Sequence, residues 1–181
     1  MRFRPAMVLL LPLVFLASPA SHAAESPYKG QEKRPIKALS GKEVEDLLAG
    51  NGMGLAKAAE LNRYPGPLHV LESASRLGLT ETQRAETRRL FDAMKREAVP
   101  LGREIVERER ELDARFASQE IDEASLAAAL AEIGRLTGAL RLVHLKAHLR
   151  MREILTPHQI ALYGRARGYE SSGGAGGHSG H

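Results

Sequence analysis

The chain has no cysteine and no tryptophan, and aromatic residues make up only 4% of its 181 positions. Without cysteine there can be no disulfide, no thiol nucleophile, no cysteine-based zinc site and no lipidated N-terminal cysteine. A cysteine-free chain suits an oxidising compartment. Scarce aromatics beside frequent Leu, Ala, Glu and Arg argue against a sandwich or barrel and for helices. Signatures of catalysis are missing too. There is no Gly-x-Ser-x-Gly elbow, no His-Glu-x-x-His and no phosphate-binding loop after a strand, so the chain does not read as an enzyme and no catalytic residue is assigned. Gly50-Asn-Gly-Met-Gly54 is glycine-rich, but no strand precedes it and no Lys-Ser/Thr follows, so it reads as a turn.

Long hydrophobic runs are also scarce. The one candidate, Met7–Ala17, is too short to cross a bilayer. Arg2 and Arg4 precede it, and small residues ending in Ser21-His22-Ala23 follow, the pattern of a secretory signal peptide cut after Ala23. The expectation is an exported, periplasmic protein. Residues 1–23 carry two arginines and no acid, so the net charge falls from +4 to +2 on cleavage, which does not indicate a nucleic-acid partner.

Residues 24–39 are polar and punctuated by Pro27, Gly30 and Pro35, and read as an extended arm; short helices carry this arm on to residue 65. Ser40 with Glu43 forms a capping box for a helix over 43–49, and helices are expected over 53–61 and 68–77. The core region spans 66–169. A long helix should run from Glu81 to about Ala117, with apolar positions Leu90, Met94, Ala98, Leu101, Ile105, Leu112 and Phe116. Pro100 inside it predicts a bend. Asp122 should cap a second long helix, Glu123 to about Glu153, with an inward stripe Leu126, Leu130, Ile133, Thr137, Leu140, His144, His148 and Met151. Leu142, Leu145 and Leu149 form a second stripe beside it, predicting burial on two sides. A final helix should reach about Arg167. Residues 170–181, rich in Gly, Ser and His, should stay disordered.

The most specific local signal is a repeat. Leu79-Thr80-Glu81-Thr82-Gln83 opens the first long helix, and Leu155-Thr156-Pro157-His158-Gln159 follows the second. In each, Thr suits the N-cap and Gln the third helical position, where its side chain can reach back to the cap. If the long helices form an antiparallel hairpin, both boxes arrive at the same end.

These paired Leu-Thr-x-x-Gln motifs, behind a signal peptide and in an all-α chain, resemble the Spy/CpxP family of periplasmic proteins. The resemblance covers about residues 66–167. It implies an all-α fold: a long bent antiparallel helical hairpin with short flanking helices, paired into a cradle-like homodimer. It also implies non-covalent work. The first expectation is an ATP-independent chaperone or envelope-stress adaptor that binds unfolded envelope proteins or a membrane-bound signalling partner, with no required cofactor. The alternative is the CnrX/ZraP-like heavy-metal sensor branch, binding a divalent transition metal such as zinc, nickel, cobalt or copper.

Two sets of residues could carry these roles. His144 and His148, four apart, share one helix face and can share one ion. At the level of the hairpin opposite them, Glu86 or Asp92 could complete the shell, with Met151 one turn on and His69 folded back from its short helix. The same spacing also suits two core histidines hydrogen-bonded to carboxylates. The second set is a client-binding surface of Arg84, Arg88, Arg89, Lys95 and Arg96 with Met94 and Leu101, where flexible cations lie beside apolar groups. Interleaved glutamates make a solvated face laced with weak ion pairs the competing reading.

Overall fold

The computed structural model describes residues 25–169, and every regular element among them is helical. The expected signal peptide and the Gly/Ser/His tail lie outside the described residues. After a 3-10 turn at Gln31–Lys33 come α1 (Gly41–Leu48), α2 (Lys57–Glu60), α3 (Pro67–Glu72), α4 (Ala74–Leu77), α5 (Glu81–Ala117), α6 (Glu123–Ile154) and α7 (Pro157–Ala166). The long helices α5 and α6 pack against each other as a hairpin, and the short ones lie against it. No helix among the described residues is long and apolar enough to cross a membrane.

Capping chemistry places the helix starts. Ser40, Thr80, Asp122 and Thr156 each accept a hydrogen bond from the amide of the third helical residue, whose side chain answers back to the cap amide. α5 runs unbroken through Pro100, which forgoes one amide donor. The helix expected over 53–61 shrinks to α2, because Met53 (φ 46°) and Gly54 (φ 80°) hold left-handed conformations that a helix cannot include. The helix expected over 68–77 is divided at Ser73 into α3 and α4.

Two apolar clusters hold the fold. In the first, Leu47 of α1 and Ile36 of the N-terminal arm pack on Ala98, Ile105 and Val106 of α5 and on Leu136 and Leu140 of α6. The arm is thus not extended throughout: Ile36 is buried, and the Lys37 ammonium pairs with Asp113 at 2.9 Å. The second cluster joins Val70, Ala74, Leu77 and Leu79 to Met151, Leu155 and Tyr163 at the opposite end of the hairpin from its α5–α6 turn.

The two threonine-started boxes meet in this second region. Gln83 Nε2 donates to Gln159 Oε1 at 2.8 Å, and Gln159 Nε2 donates to Gln83 Oε1 at 2.9 Å. Each Oε1 also accepts its own cap amide, from Thr80 at 3.1 Å and Thr156 at 2.9 Å. The remaining amide protons cross to backbone carbonyls, Gln83 to Ile154 at 2.9 Å and Gln159 to Gly78 at 3.4 Å. Leu79 and Leu155, which open the two motifs, are both buried beneath this lattice. Every residue of the repeated motif that the spacing singled out therefore has a structural task.

The periodicity misassigned part of the outer surface. Near the α5–α6 turn the hairpin is only two helices thick, so Phe116 (56% exposed) and Leu130 (52%) find no second layer to enter. Leu136, not Thr137, takes the inward register there. Leu142 and Leu149 are also more than half exposed, because the short helices cover the other side of the hairpin and leave this face of α6 open.

Candidate functional site

His144 and His148 both point inward from α6, and both are buried. The segment from Gly50 to Pro67 folds back over them. It supplies Gly52 beside the His144 ring and Gly66 beside the His148 ring. A cavity of about 230 Å³ opens onto both imidazoles; Gly66, His69, Met94 and Lys95 are among the residues that line it. A second, of about 370 Å³, touches the same two rings and His69, and is lined by Glu60 and Arg167 as well.

The hydrogen bonds settle which atoms are free. His148 Nδ1 lies 2.7 Å from the Tyr64 carbonyl oxygen, which can only accept, so this nitrogen carries a proton, and in the neutral ring the lone pair is then on Nε2. A carbonyl acceptor behind an imidazole is the arrangement that orients a metal-binding histidine. His144 Nε2 is buried with no hydrogen-bond partner, and so is Glu60 Oε2. Gly66 leaves space open beside His148 and Glu60: a Cβ built there would sit 3.2 Å from His148 Nε2 and 3.6 Å from Glu60 Oε2. Two imidazole nitrogens and a carboxylate oxygen suit zinc, nickel, cobalt or copper in kind. Among the described residues, no three His, Asp or Glu side chains are already gathered tightly enough to hold an ion. The pair is a core that Glu60 lies alongside, 3.8 Å from His148 Nδ1.

Glu60 is held from its other oxygen. Oε1 accepts from the Tyr163 hydroxyl at 2.5 Å and the Tyr169 hydroxyl at 3.0 Å, and Arg167 Nε lies 3.4 Å away. Burial and then the Glu60 carboxylate push the Tyr163 hydroxyl far above its ordinary pKa, so it remains a donor. This carboxylate escaped the sequence reading because no spacing links it to the histidines. Its only signal was that no other acid lies between Asp46 and Glu72.

The other predicted residues are dispersed. His69 reaches the site, lining both cavities, while its Nδ1 pairs with Glu72 at 2.9 Å. Glu86 lines a different cleft with Arg89, Arg150 and Glu153, and Asp92 is exposed and lines neither cavity. Met151 is fully buried in the second apolar cluster, because the turn beyond His148 already lies beneath α3 and α7. Arg84, Arg88, Arg89 and Arg96 are exposed on α5. Lys95 instead turns inward, donating to the Ala49 carbonyl and to Asn51 Oδ1, while Met94 lines the histidine cavity and Leu101 packs on the first cluster. These seven residues therefore do not share one face.

Comparison with family models gives a match to heavy-metal resistance over residues 56–161, more than half of the chain. The chain belongs to the heavy-metal-resistance family. That family lies within the Spy/CpxP-like helical superfamily, in agreement with the resemblance read from the motifs. The matched span starts just before α2 and ends inside α7, so Glu60, His69, His144 and His148 all fall within it. Comparison with curated proteins and with solved structures gives no match.

Electrostatics keeps this family member's inner imidazole neutral. Burial, reinforced by His148 and Lys95, holds the His144 pKa below its ordinary value of 6.5. As pH falls below that value, the unfolded chain takes up a proton that folded His144 refuses. Stability present above pH 6.5 is therefore lost as pH falls toward the folded pKa. In chelator-treated protein the melting temperature should drop as pH falls below 6.5. His144→Gln should make that drop shallower. An unchanged slope in the variant would mean that His144 protonates freely in the fold.

Proposed function

We propose that this heavy-metal-resistance protein works in the periplasm by binding a divalent transition metal at His144 and His148, with Glu60 as the adjacent carboxylate. The observation that carries the reading is the buried, partnerless Nε2 of His144, one helical turn from a His148 whose Nε2 lone pair is left free by the Tyr64 carbonyl. A buried polar atom without a partner is rare in a folded protein and calls for a ligand or water. The N-terminal pattern of Arg2, Arg4 and the apolar run supports export. A client-binding surface has less behind it, since Lys95, Met94 and Leu101 are turned away from the exposed arginines.

In this reading, the chain's own groups divide the work. Burial, then the neighbouring His148 and Lys95, hold the His144 pKa below its ordinary value, and the Tyr64 carbonyl orients the His148 ring through Nδ1. Tyr163, Tyr169 and Arg167 anchor one oxygen of Glu60 and leave the other toward the imidazoles. A bound cation would give His144 Nε2 and Glu60 Oε2 the partner that each lacks.

The test is calorimetric titration of chelator-treated protein with zinc, nickel, cobalt and copper salts. One ion per chain is expected for at least one metal. His144→Ala and His148→Ala should each weaken it by more than the roughly 10–100-fold typical of losing a supporting partner. Glu60→Gln should fall within that range. Retained affinity in the double histidine variant would overturn the assignment.

A further inference from the structure

What the histidine site is short of is negative charge. Among the described residues, the two cavities that open onto His144 and His148 are lined by three cations, Lys57, Lys95 and Arg167, and by one carboxylate, Glu60. Arg167 and Glu60 already face each other, with Nε 3.4 Å from Oε1. The remaining lining groups with a donor atom do not redress the balance. Asn51 and Met94 are uncharged, and His69 brings its own counter-charge in Glu72, 2.9 Å from its Nδ1. Asp92 lines neither cavity. A divalent ion at the imidazoles would thus join a lining that is already positive in excess, and like charges gathered away from bulk water are costly.

Lys95 is the cation best placed to correct this. Lys57 and Arg167 are exposed, whereas Lys95 is half-buried and shares the smaller cavity with both imidazoles. Burial holds its pKa below the ordinary 10.5, the mark of an ammonium that has lost hydration. It donates to the Ala49 carbonyl and to Asn51 Oδ1, and both acceptors are uncharged. An ammonium has three protons, so one is left over. The Phe91 ring, with its centroid 5.8 Å away, lies at the outer limit of a cation–π contact and takes no hydrogen bond.

Size and lining narrow the ligand. The shared cavity holds about 230 Å³, below the roughly 300–1,000 Å³ of pockets that take drug-sized molecules. Leu68, Phe91 and Met94 give it an apolar wall, which suits an anion with a short hydrocarbon end better than a fully hydrated inorganic one. The partnerless Nε2 of His144, a residue only 3% exposed, marks the same site as incomplete.

We infer that Lys95 anchors a short monocarboxylate from solution beside the metal, so that the site holds a metal–carboxylate pair in place of a bare ion. This rests on the metal assignment above and adds the companion of the ion.

The test is calorimetric titration of chelator-treated protein with zinc, nickel, cobalt and copper perchlorates. It is run in sodium perchlorate and in sodium acetate at the same ionic strength of roughly 0.1 M, so that screening is constant. Acetate in bulk competes with the protein for free metal and weakens apparent binding, so a gain reports the site itself. For the metal that binds, acetate should tighten binding roughly tenfold, within the range usual for two coupled ligands. The gain should saturate as acetate replaces perchlorate. Lys95→Met should bind the metal at least as tightly in perchlorate, because a like charge has gone, and should lose the acetate gain. Lys95→Arg keeps the charge and should keep most of the gain. If Lys95 only pinned Ala49 and Asn51, Lys95→Met would lower the melting temperature and leave the acetate response intact. That result, or a metal affinity in the unmodified protein that acetate does not raise, would overturn the carboxylate and leave the metal site standing. Failure of every metal to bind in either salt would overturn both.

Discussion

Gly102→Ala should destabilise the protein by roughly 2–4 kcal/mol, although alanine is the better helix former. At this position α1 crosses α5 so closely that a methyl group would lie 2.0 Å from the Leu47 carbonyl oxygen and 2.7 Å from its carbon. The obstacle is backbone, which cannot rotate out of the way. Helix propensity would return at most about 1 kcal/mol. Against that, overpacking costs about 1–3 kcal/mol. Lifting α1 also uncovers part of Leu47 and Ile36, each worth roughly 1.5–3 kcal/mol when fully buried. The second terms win. Urea denaturation should show an earlier midpoint, and limited proteolysis should cut first in residues 34–56. A gain in stability would mean that α1 does not sit on α5 as described.

The largest side-chain effect should come from Gln159→Glu. Capping boxes in general accept Glu or Gln at the third helical position. Here only the amide works, because each glutamine must accept its own cap amide and also donate across to its counterpart and to a carbonyl. A carboxylate at 159 would keep the Thr156 cap but lose both donated bonds and turn an oxygen toward Gln83 Oε1, in a place where Gln159 is buried. Leaving buried acceptors unpaired costs about 1–3 kcal/mol each, so a loss of roughly 3–5 kcal/mol is expected. A double-mutant cycle with Gln83→Ala and Gln159→Ala should return a coupling of about 1–2 kcal/mol. Additive losses would show that the two boxes stabilise their helices separately. Thermal melts of the four proteins supply the measurement.

This lattice also explains why the fold could be read so far from the chain alone. Helix starts depend on groups three residues apart, and helix faces on groups three or four apart. Ser40, Thr80, Asp122 and Thr156 could therefore be named as caps, and the long helices bounded within a residue or so of Glu81–Ala117 and Glu123–Ile154. The Met53–Leu61 helix failed because left-handed backbone at Met53 and Gly54 follows from how the segment folds back, which no local pattern records.

The site shows the same division. His144 and His148 were legible because their relation is a single helical turn. Glu60 was not, since it reaches His148 and Tyr163 only after the chain has doubled back across 88 and 103 residues. Glu86, Asp92 and Met151 looked suitable by level along the hairpin. Level leaves the rotation of each helix about its axis open, and packing turned Glu86 to another cleft and Met151 into the second apolar cluster.

By itself, then, the sequence determined an all-helical chain, two long helices with their caps, a repeated box and a histidine pair, all consequences of hydrogen bonds and periodicities that span a few residues. Tertiary structure alone decided that the two boxes clasp through their glutamines, that Glu60 and Gly66 stand at the imidazoles, and that the leucine row of α6 remains uncovered. Those outcomes depend on which surfaces meet after the chain folds back. A stripe of apolar residues states that something will be covered, but not by what.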